Sequence, residues 1–267
     1  MNTEKLLYEE RILELEKKLL PSIEALAQCQ KENEEFIHIA SHDLQAPLRK
    51  LSTFIERLTL KSREDLGEEA LIYIEKINRT VAGMRSMIDD LSLLSDIGSA
   101  DPDFIKCDLN KVMSDTINNL KLLIVENSAN IITGSLPAVE ADAGQIKVAF
   151  KTLIDNAIKF KNKVEPPKIV ISSEVVTNEE KSVLHLPADK VYYKIEFADN
   201  GIGFKQEYAD KIFKPFQRLH GKATYTGNGL GLAICKKIIE RHLGIMYANG
   251  NENSGARFIL ILPETHN

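Results

Sequence analysis

The sequence predicts an α+β protein in which a helical hairpin, dimerising as a four-helix bundle, is followed by an α/β sandwich. Within the first third of the chain, apolar side chains recur at steps of three and four along two long stretches, as amphipathic helices require. From Phe104 onward, strand-like alternation is interleaved with further helical periodicity. We therefore expect three parts: a coiled-coil helix at 1–33, the hairpin at 34–100 and the sandwich at 104–264.

The composition is that of an ordinary globular protein, with 267 residues of which 43% are hydrophobic and 27% charged. The net charge of −5 gives no general attraction to nucleic acid or anionic lipid, so neither is an expected partner. No apolar run approaches the ~20 residues of a membrane span, and the first residues lack a signal-peptide core. The 3 scattered cysteines indicate a reducing compartment and no zinc site, so we expect a cytoplasmic chain.

Residues 4–35 are rich in Glu, Lys and Leu and are predicted to be helical. Apolar residues from this segment into the next helix fall on a heptad seam, namely Tyr8, Ile12, Leu15, Leu19, Leu26, Cys29, Phe36 and Ala40. This pattern favours a coiled coil that continues without a break into the first helix of the hairpin. A solvated charged helix packed on its own domain is the alternative.

The first hairpin helix carries one apolar stripe, formed by Ile37, Ala40, Leu44, Leu48, Leu51, Ile55 and Leu58. His42 lies about 200° around the helix from its neighbours in that stripe and therefore points away from it. Asp43 is adjacent, and Pro47 follows five residues later, where it should kink the helix. An exposed imidazole beside a carboxylate is either a nucleophile with an orienting partner or a solvated surface histidine.

A second amphipathic helix follows the polar break at residues 61–68. Its stripe consists of Leu71, Ile74, Ile77, Val81, Met84, Ile88, Leu91 and Leu94. One hairpin cannot cover both stripes, so two hairpins are expected to pair as a four-helix bundle. The segment 101–103, Asp-Pro-Asp, is then predicted to be a linker.

The remainder of the chain is predicted to alternate between helices and strands. We expect helices at 109–124, 143–160 and 230–243, the last ended by Gly244, and strands at 130–133, 168–176, 191–198 and 257–262. This mixture indicates a sheet with helices packed against it.

The helix predicted at 143–160 has a polar strip formed by Thr152, Asn156 and Lys159. A neutral amide oxygen suits Mg²⁺, which usually shares its oxygen ligands with nucleotide phosphates, and the lysine supplies a charge that can face phosphate. An ordinary exposed polar helix face would have the same pattern.

Two glycine-containing motifs follow. In Asp199-Asn-Gly-Ile-Gly-Phe204, the glycines allow a tight turn, and the carboxylate can accept a hydrogen bond from an exocyclic amine such as that of adenine. A plain glycine turn is the alternative.

The second motif, Gly227-Asn-Gly-Leu-Gly231, leads directly into a helix, whose first N–H groups suit phosphates. Its spacing is neither a dinucleotide fingerprint nor a P-loop, and the polar segment 220–226 before it is a candidate lid.

Taken in order, these stretches resemble the motifs of the sensor histidine kinases of two-component signalling, over roughly residues 30–263. Ser41–Leu48 is similar to the family's H box, Leu153–Phe160 to its N box, Asp199–Gly203 and Gly227–Leu232 to its two glycine boxes, and Phe213–Phe216 to its phenylalanine box. Five motifs in the family's order make the resemblance highly specific.

The resemblance implies a Bergerat-type (GHKL) ATP-binding sandwich that uses ATP and Mg²⁺. It implies that His42 is the phosphorylated residue and Asp43 its orienting base. Asn156 would hold Mg²⁺, Asp199 would accept from the adenine amine, and Lys159 and Arg218 would contact phosphates. The residues that would frame the nucleotide are Phe160, Gly201, Gly203, Phe213, Gly227, Gly229, Leu230 and Gly231.

The same resemblance implies an ATP-dependent kinase that autophosphorylates His42 within a homodimer formed through residues 34–100. The phosphoryl group would pass to an aspartate in the receiver domain of a response regulator. An upstream sensor domain is a possible partner of the leading coil and is not present in the sequence. Two rival functions are an ATPase of the same nucleotide-binding fold and a degenerate kinase that serves as a dimeric scaffold.

Four positions depart from the family's pattern. Ala46 stands where many members have a Thr or Asn that positions water for dephosphorylation of the partner, so phosphatase activity is not expected to be strong. Asp43 replaces a glutamate, Thr152 replaces a second asparagine of the N box, and Asn228 replaces the usual Thr or Ser of the second glycine box.

Overall fold

A computed structural model describes residues 2–62, 66–99, 104–219 and 227–266. Its first element, α1 (Asn2–Ser62), is a single continuous helix that includes both the predicted coil and the first hairpin helix. Pro21 and Pro47 both lie inside it. The second element, α2 (Glu68–Ser99), completes the hairpin. Part of the predicted polar break, the 101–103 linker and the candidate lid at 220–226 lie outside the described residues.

The two hairpin helices share a small apolar core. Leu48, Val81 and Ile88 are buried there, with Ile55 packed against them. Gln45 adds a polar contact, since its side-chain amide donates 3.2 Å to a carboxylate oxygen of Asp89. Five other members of the two stripes are exposed, namely Leu44, Leu51, Leu58, Ile77 and Met84. A single hairpin therefore leaves a row of apolar side chains in contact with solvent.

The second half of the chain forms the sandwich. Its helices are α3 (Leu109–Asn119), α4 (Lys121–Glu126), α5 (Ala143–Lys159), α6 (Asn178–Val183) and α7 (Gly231–Arg241). Its strands are β1 (Ile105–Asp108), β2 (Asn130–Thr133), β3 (Ala138–Ala141), β4 (Lys168–Val175), β5 (Tyr192–Asp199), β6 (Ile245–Gly250) and β7 (Ala256–Pro263). Two short 3₁₀ turns, Gln206–Tyr208 and Lys211–Phe213, follow β5.

The main sheet has five strands in the order β2-β4-β5-β7-β6, with β2 and β4 parallel and the other pairs antiparallel. One face packs against the long helices, and Phe150, Leu153, Ile195, Ile238 and Leu260 are among the side chains in that core. The opposite face has a smaller cluster that includes Tyr192, Ile259 and Ile261. Strands β1 and β3 form a separate antiparallel pair. The predicted order, a helical hairpin followed by an α/β sandwich, is confirmed.

Several elements differ from the prediction. The helix expected over 109–124 is split into α3 and α4 at Leu120, whose backbone leaves helical geometry (φ −95°, ψ 5°) while its side chain enters the core. The short strands β1, β3 and β6 and the helix α6 were not predicted. Helix α5 begins after Asp142, whose carboxylate accepts from the N–H groups of Gly144 (2.8 Å) and Gln145 (3.1 Å).

Helix α2 also contacts the sandwich. Ile97 is buried in the main core, and Lys237 of α7 donates 2.8 Å to the carbonyl of Leu94. The hairpin is therefore docked on the sandwich along the C-terminal part of α2. Among the described residues, no helix is both long and apolar enough to span a lipid bilayer.

Candidate active site

A cavity of ≈ 360 Å³ lies between α5, the turn after β5, the glycine-rich loop before α7, and α2. Much of its wall is apolar, with Ile202, Phe204 and Phe258 on the side of the sheet. The rings of Phe204 and Phe258 are 6.5 Å apart between centroids. An apolar pocket of this size with a few polar groups is suited to a flat organic ligand.

One half-buried polar group of this wall is the carboxylate of Asp199, at the end of β5. Its Oδ1 accepts from the N–H of Gly201 at 2.8 Å and from the N–H of Ala256 at 3.2 Å. Burial raises the pKa of Asp199, and the two N–H groups act in the opposite direction. Both bonds end on Oδ1, so Oδ2 is the oxygen that can accept from a ligand.

The turn after Asp199 has little room for side chains. Gly203 has φ 59°, and a Cβ there would collide with the carbonyl oxygen of Asn251. Asn200 stabilises the turn from outside, because its Oδ1 accepts from the N–H of Lys168 at 2.7 Å and its amide donates 3.1 Å to the carbonyl of Pro166. Only glycine fits this conformation without a shift of the backbone.

The glycine-rich loop closes another part of the cavity. Gly227 has φ 127°, and a Cβ at this position would lie 2.7 Å from Nζ of Lys159. Helix α7 then begins after Leu230, which provides no side-chain hydrogen bond to cap the helix. In contrast, α3 and α5 are capped by Asp108 and Asp142. The first N–H groups of α7 are thus suited to an anion beside the lysine.

The predicted polar strip of α5 faces the same cavity. Thr152, Asn156 and Lys159 all line it, together with Asp155. Burial, and then the nearby charge of Arg218, lower the pKa of Lys159. Burial raises the pKa of Asp155, and its buried Oδ1 has no hydrogen-bond partner. The described residues contain no cluster of three or more acidic, histidine or cysteine side chains that could hold a metal ion. A cation in this cavity would therefore have Asn156 and Asp155 as its nearby protein oxygens and would take its remaining ligands from a bound molecule or water.

His42 lies apart from the cavity, on an exposed face of α1. Its side chain is 79% exposed and that of Asp43 is 74% exposed. Nδ1 of His42 lies 3.4 Å from Oδ1 of Asp43. With a hydrogen on Nδ1, the imidazole would donate to this carboxylate, and the lone pair of Nε2 would then point to solvent.

Two family models match the chain. Residues 32–100 match "His Kinase A (phospho-acceptor) domain", and residues 141–266 match "Histidine kinase-, DNA gyrase B-, and HSP90-like ATPase". The chain belongs to the sensor histidine kinases. The first model covers the exposed His42 and the hairpin, and the second covers the cavity except for the part of its wall formed by α2.

Known relatives are consistent with this assignment. Cyanobacterial phytochrome A of Nostoc sp. is 34% identical to this chain over 238 residues, which are 89% of this chain and 29% of the phytochrome. The chain thus spans less than a third of that relative's length. Full-length ShkA in complex with AMPPNP has a similar fold, with a TM-score of 0.64 and 20% identity over 86% of this chain and 45% of ShkA. ThkA in complex with the response regulator TrrA has a TM-score of 0.57 and 20% identity over 88% of this chain and 64% of that chain.

The structure divides the predicted site residues of this chain into three groups. Those that line the cavity are Asn156, Lys159, Phe160, Asp199, Gly203, Arg218, Gly227, Gly229 and Gly231. Gly201, Phe213 and Leu230 are buried next to the wall without lining it. His42 and Asp43 lie on α1, outside the cavity.

Some cavity residues were not predicted. Phe204 and Ile202 belong to the Asp199 motif, so their position in that motif was an available signal. Asp155 precedes Asn156, but only the helix packing places its carboxylate at the cavity. Asp90 of α2 also lines the cavity, and no signal in its own sequence context indicates this. Its position depends on how the hairpin docks on the sandwich.

Proposed function

We propose that this chain is an ATP-dependent protein-histidine kinase that autophosphorylates His42 and passes the phosphoryl group to an aspartate of a response regulator. The observation that carries this proposal is one cavity that combines Asp199, the Asn156–Lys159 strip and the glycine-rich loop, in a chain that also presents His42 on an exposed helix face. Because the reaction consumes ATP, we expect the chain to act in the cytoplasm.

The arrangement of the cavity supports one orientation of ATP. Oδ2 of Asp199 would accept the hydrogen bond of the adenine amine, and the apolar side chains of Ile202 and Phe204 would flank the ring. The triphosphate would extend towards the glycine-rich loop, where Lys159 and the start of α7 offer positive charge and N–H donors. Arg218 would contact the phosphates from the same cavity wall.

The residues near the phosphates also fit Mg²⁺. A carboxamide at Asn156 and the buried, unbonded Oδ1 of Asp155 are hard oxygen donors, and Mg²⁺ commonly uses one or two protein ligands together with phosphates and water. We propose Asn156 as the ligand, with Asp155 nearby. When bound, the ion would neutralise negative charge on the phosphates.

The transfer step would use the imidazole of His42. Asp43 would hold the hydrogen on Nδ1, which keeps the lone pair on Nε2 available. Nε2 would form the new P–N bond to the γ-phosphorus while the bond from that phosphorus to the β,γ-bridging oxygen breaks and ADP leaves. Lys159 and Arg218 would stabilise the leaving diphosphate, so positioning and charge provide most of the catalysis.

We propose that the kinase acts as a homodimer through residues 34–100, within a chain organised as 1–33, 34–100 and 104–264. The support is the row of exposed apolar side chains on α1 and α2, which includes Leu44, Leu51 and Met84. Pairing of two hairpins would bury this row as a four-helix bundle. The receiver domain of a response regulator would dock on the resulting helical surface around His42, because its aspartate has to reach the phosphorylated imidazole. A protein of similar fold, ThkA, forms a complex with the response regulator TrrA.

Labelling with γ-³²P-ATP and Mg²⁺ tests this proposal. Wild-type protein should acquire an acid-labile label, and His42→Gln should acquire none while it still binds ATP. The matched control is His38→Gln, an exposed histidine one helical turn earlier on the same helix, which should label normally. A label that persists in His42→Gln would contradict the assignment of the phosphorylated residue.

A further inference from the structure

Asp90 is a residue of the hairpin that forms part of the wall of the candidate nucleotide cavity. Asn228 of the glycine-rich loop donates 3.2 Å to Oδ2 of Asp90 and 3.3 Å to Oγ of Ser86. One turn further along α2, Lys237 donates to the carbonyl of Leu94. Residues 86, 90 and 94 are spaced by four and thus lie on one face of α2, which is the face that contacts the sandwich.

This contact places a carboxylate where the terminal phosphates are proposed to bind. Asp90 is bonded to the loop that contains Gly227, and Gly227 lies directly against Lys159. The carboxylate is half-buried, and its direct hydrogen-bond partner, Asn228, is neutral. Lys151 is close enough to attract Asp90, but Asp89 is close enough to repel it. A phosphate group that enters this part of the cavity would therefore be repelled by the negative charge of Asp90, which its neighbours compensate only in part.

We propose that Asp90 determines which nucleotide the docked arrangement accepts, so that ADP is compatible with the Asp90–Asn228 contact and ATP opposes it. This inference rests on the proposed function, because it assumes that phosphates occupy the glycine-loop end of the cavity. The third phosphate of ATP adds negative charge close to Asp90, whereas ADP ends one phosphate earlier. By linkage, ATP then favours separation of the glycine-rich loop from α2, and the docked contact weakens the binding of ATP to the same degree.

Titration calorimetry of the full chain with AMPPNP and with ADP tests the nucleotide preference. Asp90→Asn keeps an oxygen that can accept from Asn228 and removes only the charge. It should tighten AMPPNP binding by about tenfold and ADP binding by less than about threefold, with a larger gain for AMPPNP when EDTA removes Mg²⁺. Asp89→Asn is the matched control, an exposed neighbour outside the cavity wall, and should change both affinities by less than about twofold.

AMPPNP affinity that is unchanged or weaker in Asp90→Asn would overturn this inference and leave the proposed function intact. Weaker binding only in the presence of Mg²⁺ would instead identify Asp90 as a group that faces the cation. Wild-type protein that binds neither nucleotide would overturn the inference and the proposed function together.

A disulfide trap measures the docked contact itself. Ser86→Cys and Asn228→Cys would place two thiols where the two side chains now meet at 3.3 Å, in a Cys29→Ser background because Cys29 is the exposed cysteine. Oxidation should cross-link this variant readily without nucleotide and with ADP, and at least about fivefold more slowly with saturating AMPPNP. Equal cross-linking rates with ADP and AMPPNP would contradict the proposed opposition between ATP and the docked contact.

Discussion

The backbone N–H of Asp142 donates a 3.0 Å hydrogen bond to Nε2 of His242, a residue 100 positions later in the chain. Because Nε2 accepts this bond, it carries no hydrogen, and Nδ1 must donate the 2.7 Å bond to the carbonyl of Ile238. The ring is therefore neutral and uses both nitrogens. Asp142 is the N-cap of α5, the helix that carries Asn156 and Lys159. His242, which is buried at the C-terminal end of α7, therefore holds the N-cap residue of that helix in place.

This arrangement predicts a loss of stability in mild acid. Burial lowers the pKa of His242 below its ordinary value of 6.5, and the neighbouring His266 and Arg241 act in the same direction. Well above pH 6.5 neither the folded nor the unfolded chain protonates this residue to a significant extent. As the pH falls below that value, only the unfolded chain takes up the proton, so the free energy of unfolding decreases until the pH reaches the folded pKa.

Thermal unfolding followed by circular dichroism between about pH 7.5 and pH 5.5 checks this sign. The Tm of wild-type protein should fall by several degrees over this window. His242→Gln keeps one donor and one acceptor but does not titrate, so its Tm should start lower and change less. His38→Gln, which replaces an exposed histidine, should follow the wild-type profile. Parallel profiles for wild type and His242→Gln would show that another group causes the pH dependence.

A second prediction concerns the hydrogen-bond polarity of Asp199. In Asp199→Asn, the amide oxygen would still accept from Gly201 and Ala256, which places the NH₂ group at the position of Oδ2. Two donors, this NH₂ and the adenine amine, would then face each other. ATP affinity should fall by about 10- to 100-fold while the Tm changes little. Calorimetry checks the affinity, with Asp210→Asn, an exposed residue outside the cavity, as the control. Unchanged ATP affinity would show that Asp199 does not contact the base.

The elements predicted well from the sequence are those with a strong local signal. Helix α5 has a complete apolar stripe, and β7 is a largely apolar run that was predicted close to its observed bounds. The short strands β1 and β3 were not predicted, because they form by pairing with each other, which brings together Cys107 and Val139 from distant parts of the chain. The split of α3 from α4 follows from the burial of Leu120, which is a tertiary effect.

The candidate site divides in the same way. Asp199, Asn156 and the glycines belong to motifs that each allowed an ordinary alternative. The order of these motifs, which resembles that of the sensor histidine kinases, was what predicted a nucleotide cavity. Asp90 could not be predicted, because its role depends on the Asn228 contact between two parts of the chain that are 138 residues apart. The hydrogen bond between the backbone N–H of Asp142 and the neutral ring of His242 was also missed, since a lone histidine at the end of a helix has no distinctive pattern.

Disruption of the exposed apolar row should separate the proposed dimer. Leu51 is 47% exposed in the single chain and belongs to the α1 stripe. Leu51→Asp would place a charge in the middle of the four-helix bundle and should raise the dimer dissociation constant by more than about a hundredfold. Leu122 is 79% exposed on α4, so Leu122→Asp is a control with the same change in chemistry and should stay dimeric. Multi-angle light scattering gives the masses, and a wild-type monomer or a dimeric Leu51→Asp would contradict the proposed interface.

The last prediction concerns Ala46, one helical turn after His42. The side chain is half-buried, next to exposed Gln45 and Pro47. Removal of phosphate from a regulator's aspartate requires a water held in line with the phosphorus, and a methyl group offers no hydrogen bond to such a water. Under the proposed function, we therefore expect the wild-type protein to donate phosphate efficiently and to remove it slowly.

Ala46→Thr would introduce a hydroxyl at this position, with a helix penalty of up to about 0.7 kcal/mol. The variant should dephosphorylate the cognate regulator at least about tenfold faster than wild type in the presence of ADP, while its self-labelling changes little, because a hydroxyl can orient the attacking water. Ala82→Thr makes the same change at an exposed position on α2 and should behave as wild type. Loss of label from the purified phospho-regulator measures the rate. Rapid dephosphorylation by wild-type protein would show that a different side chain holds the water, and Gln45 is then the first to test because it is exposed one residue earlier and already bonded to Asp89.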